Sequence, residues 1–148
     1  MIVLDASAVI DLLLNRSPAA RSIAERVAAE SPALAAPHLL DAEVGQVLRR
    51  FVLASQISAR RAVTALDDFA FLPITRYPHT PLLKRAFALR AHATFYDALY
   101  LSLSEGLDAA FITCDKRLAT IPGARARVEV VEGSSNMPQF PDALKPTV

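Results

Sequence analysis

The chain has 148 residues, 53% hydrophobic and 21% charged, which excludes disorder for its bulk and fits one domain able to bury its own core. Sixteen Lys and Arg against fifteen Asp and Glu leave a net charge of +1, so charge alone points neither to nucleic acid nor to a membrane surface. Thirteen of the cations are Arg, which contacts phosphate or carboxylate bidentately without needing a basic excess.

Met1 to Asp5 has no basic lead-in and its apolar run breaks at once, so it does not read as a signal peptide. No window approaches the roughly 18 apolar residues of a membrane span. Ile2, Val3 and Leu4 read as a buried first strand, followed by a helix from near Ser7 carrying Val9, Ile10, Leu13 and Leu14. Ser17 as cap and Pro18 at the first helical position open a second helix through about Ala29. Leu34 to Ala36 is a weak second strand. Apolar residues at 40, 44, 47, 48 and 51 mark a helix over about 39–54. Ser58 caps the next, with Ala62, Val63, Leu66 and Phe69 facing inward. Phe71 to Ile74 reads as an edge strand, because Pro73 cannot donate to a ladder. Leu82, Ala86, Leu89 and Ala93 stripe another helix. One more runs from about Tyr96 to Glu105 and stops at Gly106. Ala110 to Thr113 is a second well-buried strand, followed by a short helix from about Lys116 and a strand over Val128 to Val131. The stretch 133–148, with three Pro, reads as a tail of low order, leaving a domain over 1–132. The alternation of strand and helix argues for a mainly parallel sheet of four to five strands with helices on both faces, an α/β class.

Ligands of such sheets bind outside the carboxyl ends of the strands. Asp5 directly follows the first strand and Asp115 follows the strand ending at Thr113. Asp97 lies in the first turn of its helix, and Glu43 flanks the helix carrying Val44 and Val47. Clustered carboxylates repel one another and call for a cation. With one cysteine and no paired histidines, an all-oxygen set favours Mg²⁺ or Mn²⁺ over zinc. Such ions activate water and stabilise charge on a phosphate under attack. Each acid also has a plain structural role open to it: Asp5 and Asp115 as helix caps, Asp97 as first-turn charge, Glu43 as a solvated flank. Asp11, Asp41, Asp67, Asp68 and Glu105 fit exposed helix faces. Tyr96 and Tyr100 read as core, and Cys114 as a small buried filler with no histidine partner. The single cysteine also excludes an internal disulfide and implies a reducing, cytoplasmic setting.

Four segments together resemble the PIN-domain family, and most closely its VapC-type toxin ribonucleases. They are Ile2-Val3-Leu4-Asp5-Ala6-Ser7-Ala8, the helix with Glu43 and Val47-Leu48-Arg49, Phe95-Tyr96-Asp97-Ala98-Leu99-Tyr100, and Ile112-Thr113-Cys114-Asp115-Lys116-Arg117-Leu118. The resemblance implies a three-layer α/β/α sandwich and cleavage of RNA phosphodiesters with Mg²⁺ or Mn²⁺. Its acidic quartet falls on Asp5, Glu43, Asp97 and Asp115, with Ser7 and Thr113 at the hydroxyl positions beside the first and last acids. It also implies a homodimer neutralised by a small VapB-type antitoxin. Because an acidic pocket repels phosphate, rim cations are needed to hold RNA, and Arg16, Arg49, Lys116 and Arg117 are the candidates. The helices over about 17–29 and 39–54 are expected to leave apolar surface for another chain. Two other classes stay open: a non-catalytic module whose acids bind a partner's arginines, and a receiver-like phosphoacceptor domain. The latter needs a lone acceptor Asp after a middle strand and a Lys after a late one, and Asp115 followed at once by Lys116 does not supply that.

Overall fold

The computed structural model describes residues 1–15, 17–30 and 33–132; Arg16 and the expected tail over 133–148 lie outside the described residues. In chain order the elements are β1 (Ile2–Leu4), α1 (Ala6–Leu14), α2 (Pro18–Glu30), β2 (Leu34–Pro37), α3 (Leu39–Leu53), α4 (Ala59–Phe71) and β3 (Ile74–Tyr77). A 3₁₀ turn (Thr80–Leu82), α5 (Leu83–Ala88), α6 (Phe95–Leu107), β4 (Ala110–Thr113), a 3₁₀ helix (Lys116–Thr120) and β5 (Arg127–Val130) complete it. The five strands form one sheet in the order β3-β2-β1-β4-β5, every neighbouring pair parallel. β1, β2 and β4 are buried at every residue, as continuous apolar strands covered on both faces must be.

The strand order explains the layers. The chain winds outward from β1 through β2 to β3, then returns past β1 to β4. Right-handed crossovers put the helices of these two excursions on opposite faces. α1 to α4 pack against one another on one side, and α6, backed by α5, lies across β1, β2 and β4 on the other. The result is a three-layer α/β/α sandwich whose reversal of winding falls between β1 and β4, where such sheets open a crevice.

Several boundaries differ from the sequence pattern for local reasons. β3 starts after Pro73, so the proline precedes the ladder, and β3 is an edge strand as expected. β5 begins one residue earlier than expected, at Arg127. α4 buries only Ala62, Ala65 and Phe69. Val63 and Leu66 lie to the side of that narrow stripe and face solvent. The helix expected through Ala93 ends at Ala88, and Leu89 to Ala93 form turns. α6 does not stop at Gly106: it runs to Leu107, and its C-cap Asp108 takes the left-handed conformation at φ 49°, one that Asp tolerates better than most residues. Ser17 lies just before α2, and its hydroxyl donates to Asp11 at 2.5 Å. Among the described residues no helix is long and apolar enough to cross a membrane.

Candidate active site

The register of β1 against β4 pairs Leu4 with Ile112, so the residues that follow, Asp5 and Thr113, face each other across the crevice. The Thr113 hydroxyl donates to Asp5 Oδ2 at 2.5 Å, while Asp5 Oδ1 accepts from the Ser7 hydroxyl at 2.6 Å and the Ala8 amide at 3.0 Å. The Ala8 bond makes Asp5 the N-cap of α1. Both hydroxyls also accept backbone N–H groups from the segment after β4: Ser7 Oγ from Cys114 at 2.9 Å, across the crevice, and Thr113 Oγ1 from Asp115 at 3.0 Å. Ser7 and Thr113 thus stitch the ends of β1 and β4 together while orienting one carboxylate.

The other acids arrive on helix N-termini at the same sheet edge. Asp97 sits in the first turn of α6, where Thr94 caps its amide at 3.1 Å and donates to Asp97 Oδ2 at 2.9 Å. Glu43 projects from α3 and accepts the Tyr100 hydroxyl on Oε2 at 2.5 Å. Tyr100 is buried and stacked on Phe111 of β4, ring centroids 5.8 Å apart. Asp115 caps the following 3₁₀ helix, and its side chain is gripped by Arg117.

Three of these carboxyls are held above their usual range. Burial pushes Asp5 up to about 6, and the charge of Asp97 adds to it against the Ser7, Thr113 and Ala8 hydrogen bonds. Burial likewise takes Glu43 up to about 7, with Asp5 and Asp97 adding to it and Tyr100 opposing it. Asp97 is raised by burial and by Asp115. Asp115 goes the other way: partial burial is outweighed by the hydrogen bonds and charge of Arg117, which hold it below the carboxylate range. The four acids therefore form one electrostatic cluster. Among the described residues no three His, Cys, Asp or Glu side chains are already drawn together as a metal cage.

Two of the candidate rim cations are already paired with acids. Arg49 is on the exposed side of α3, Lys116 reaches Glu132 at 3.5 Å, and Arg117 is turned onto Asp115. Arg16 lies outside the described residues. Several expectations are corrected. Asp11 is buried, accepting from Ser17 and the Cys114 thiol, and Glu105 is enclosed by Arg85 and Arg125. Tyr96 is 54% exposed instead of core. Cys114 is half-buried instead of fully buried, packed against the core, its thiol pushed up to about 12 by burial and the nearby Asp11 and Asp5. Large exposed apolar side chains occur at Leu53, Val63, Leu66 and Phe71 and around α5 and the start of α6, with none of them on α2. The residue that sequence reasoning missed is Tyr100, the partner of Glu43.

The PIN domain family profile matches residues 2–124. Ribonuclease VapC1 of Mycobacterium tuberculosis is 45% identical over 130 residues, spanning 87% of this chain and 96% of its own. The chain belongs to the PIN domain family, among the VapC ribonucleases. Ribonuclease VapC12 of the same organism is 40% identical over 131 residues, spanning 88% of this chain and 99% of its own. The solved VapBC2 of Rickettsia felis, bound to a DNA fragment from their promoter, superposes with a TM-score of 0.65 at 15% identity, over 89% of this chain and 100% of that chain. At that identity the likeness is one of fold. Membership favours neither the receiver-like nor the non-catalytic reading.

Proposed function

We propose that this PIN domain is the toxin of a toxin–antitoxin pair. It is an endoribonuclease that hydrolyses RNA phosphodiester bonds with Mg²⁺ or Mn²⁺ held by Asp5, Glu43, Asp97 and Asp115. The observation that carries the reading is the cluster itself. Three carboxyls at the switch of the sheet are raised by burial, and for each a neighbouring acid's charge adds to the rise, an arrangement that a divalent cation relieves. The donor set is all oxygen, which suits a hard ion. Among the described residues Glu43 Oε1 and Asp97 Oδ1 carry no hydrogen bond, and Asp5 Oδ2 accepts only Thr113, so each has lone pairs left for an ion.

A bound divalent ion supplies Lewis-acid stabilisation of the phosphate and lowers the pKa of water. The protein's own groups do the rest. Ser7 and Thr113 fix Asp5, Thr94 fixes Asp97, and Tyr100 fixes Glu43 through Oε2. With no ion bound Glu43 stands at about 7, so it must shed a proton near neutral pH before it can hold the cation. Arg16, Arg49 and Lys116 remain the candidates for backbone phosphates.

The same reading assigns the nuclease unit to 1–132, leaves 133–148 as an appended tail and places the protein in the cytoplasm with its RNA. It includes a homodimer and a VapB-type antitoxin, supported by exposed Leu53, Val63, Leu66 and Phe71. The test is a denaturing gel of total RNA incubated with the purified protein in Mg²⁺, Mn²⁺ or EDTA. Cleavage with either metal and none in EDTA is expected; undiminished cleavage in EDTA refutes the mechanism.

A further inference from the structure

The hydrogen-bond donors to the carboxyls of Asp5, Glu43 and Asp97 among the described residues are neutral: the hydroxyls of Ser7, Thr113, Tyr100 and Thr94 and the backbone amide of Ala8. Asp115 differs. Its Oδ1 accepts the Arg117 amide at 2.9 Å and Nε at 3.0 Å, and its Oδ2 accepts Nε at 3.1 Å and Nη2 at 2.6 Å. An ionised carboxylate offers about four lone-pair sites, so Arg117 occupies all of them. A cation approaching this carboxylate meets a guanidinium already there. The Arg117 side chain is 61% exposed and that of Asp115 25%, so the clamp sits on the solvent side of the cluster with room to swing out.

We propose that Arg117 is a resident counter-ion of the acidic site: its guanidinium holds Asp115 while no divalent ion does, and must leave for that ion to gain this carboxylate. The inference rests on the reading of the four acids as a metal site. Departure of the guanidinium empties Oδ2 of both its donors, while Oδ1 keeps the Arg117 amide. The cap of the 3₁₀ helix therefore survives and Oδ2 is the atom presented to the ion. The field of the same guanidinium also reaches Asp97 and opposes its rise, so Arg117 partly substitutes for the missing positive charge. Lys116, next in sequence, is a natural control, since it pairs with Glu132 and not with the acids.

The test is Mn²⁺ binding to the metal-free full chain, measured by calorimetry without RNA, for wild type, Arg117→Gln, Arg117→Lys and Lys116→Gln. An exposed ion pair withholds up to roughly fivefold in affinity, so Arg117→Gln should tighten Mn²⁺ binding by about that factor. Lys116→Gln should change it less than about twofold, the effect of an exposed pair at the weak end. Arg117→Lys keeps the charge but loses the fork and should gain part of the effect. Metal-free melts of each variant confirm that the fold is intact. Wild-type affinity in Arg117→Gln, or an equal gain in Lys116→Gln, overturns the proposal while leaving the metal site standing. A wild type that binds no Mn²⁺ overturns both.

Discussion

Asp5 is both a helix cap and a buried acid, and Asp5→Asn separates the two roles. Asparagine caps as well as aspartate, and its oxygen can keep the Ser7 and Ala8 donors. Its amide would then face Thr113 Oγ1, whose hydroxyl already accepts from Asp115 and has a second lone pair. The cap is thus conserved and the charge removed. With its carboxyl at about 6 against an ordinary 3.8, Asp5 in the folded protein holds a proton through a range where the unfolded chain has lost it. Its ionisation therefore opposes folding. The cost is small at pH 4, grows as pH rises, and levels off above about 6 at about 3 kcal/mol. Metal-free Asp5→Asn should accordingly melt roughly 6 °C above wild type at pH 8, with little difference at pH 4. It should also lose the stabilisation that Mn²⁺ gives the wild type. Scanning calorimetry at both pH values, in EDTA and in Mn²⁺, reads all four numbers. A variant destabilised equally at pH 4 and pH 8 would mean that Asp5 is only a cap, and the electrostatic argument would fail.

Mn²⁺ affinity should climb with pH and flatten just above 7, because Asp5 and Glu43 must shed protons first; calorimetry in buffers of different ionisation heat counts the protons released. Tyr100→Phe keeps the stack on Phe111 but strips Glu43 of its donor, so the acid limb of the cleavage–pH profile should move upward, with about 1–2 kcal/mol of stability lost at pH 8; an unmoved limb would detach Tyr100 from the site. Thr94→Ala should cost about 1 kcal/mol of stability and also reduce cleavage through a freed Asp97, whereas Thr94→Ser should restore both; chemical denaturation beside the gel assay decides. Co-expression with the neighbouring small gene should yield a complex, and a monodisperse monomer indifferent to that product would count against the toxin reading.

The parallel sheet and the positions of three acids were legible because they rest on short-range signals. Asp5 and Asp115 each come after a fully buried strand, and Asp97 falls in a first turn behind a capping Thr94. What escaped notice was decided by packing between distant segments. Tyr100 meets Glu43 across 57 positions of sequence; the available clue is that it lies three residues beyond Asp97, on the same face of α6, and a buried tyrosine needs a partner for its hydroxyl. Asp11 likewise shares a face with Ser7 one turn earlier, behind the site, so a reading based on polarity alone set it in solvent. Val63 and Leu66 suit a wide inward stripe, but α4 packs through small Ala62 and Ala65 and turns both outward. Arg117 gave no sequence sign that it would fold back two residues onto Asp115.

Four acids can share one edge of this fold without a metal because of where the chain starts its helices. Asp5 caps α1, Asp115 caps the 3₁₀ helix, Asp97 stands in the first turn of α6, and Glu43 lies near the start of α3. In a parallel sheet the helix that follows a strand begins at the carboxyl edge, and so does the helix that leads into the next strand. The reversal between β1 and β4 brings those beginnings to one place. Helix N-termini present unpaired N–H groups and positive dipole ends, each worth a fraction of a kcal/mol to about 1 kcal/mol to a nearby carboxylate. Those contributions offset part of the repulsion and none of the need for a cation, since Asp5 and Glu43 still stand at about 6 and about 7. The capping and ligand roles of Asp5 and Asp115 are therefore not rivals. The backbone donors that make them caps are what let the folded, metal-free chain hold carboxylates this close together.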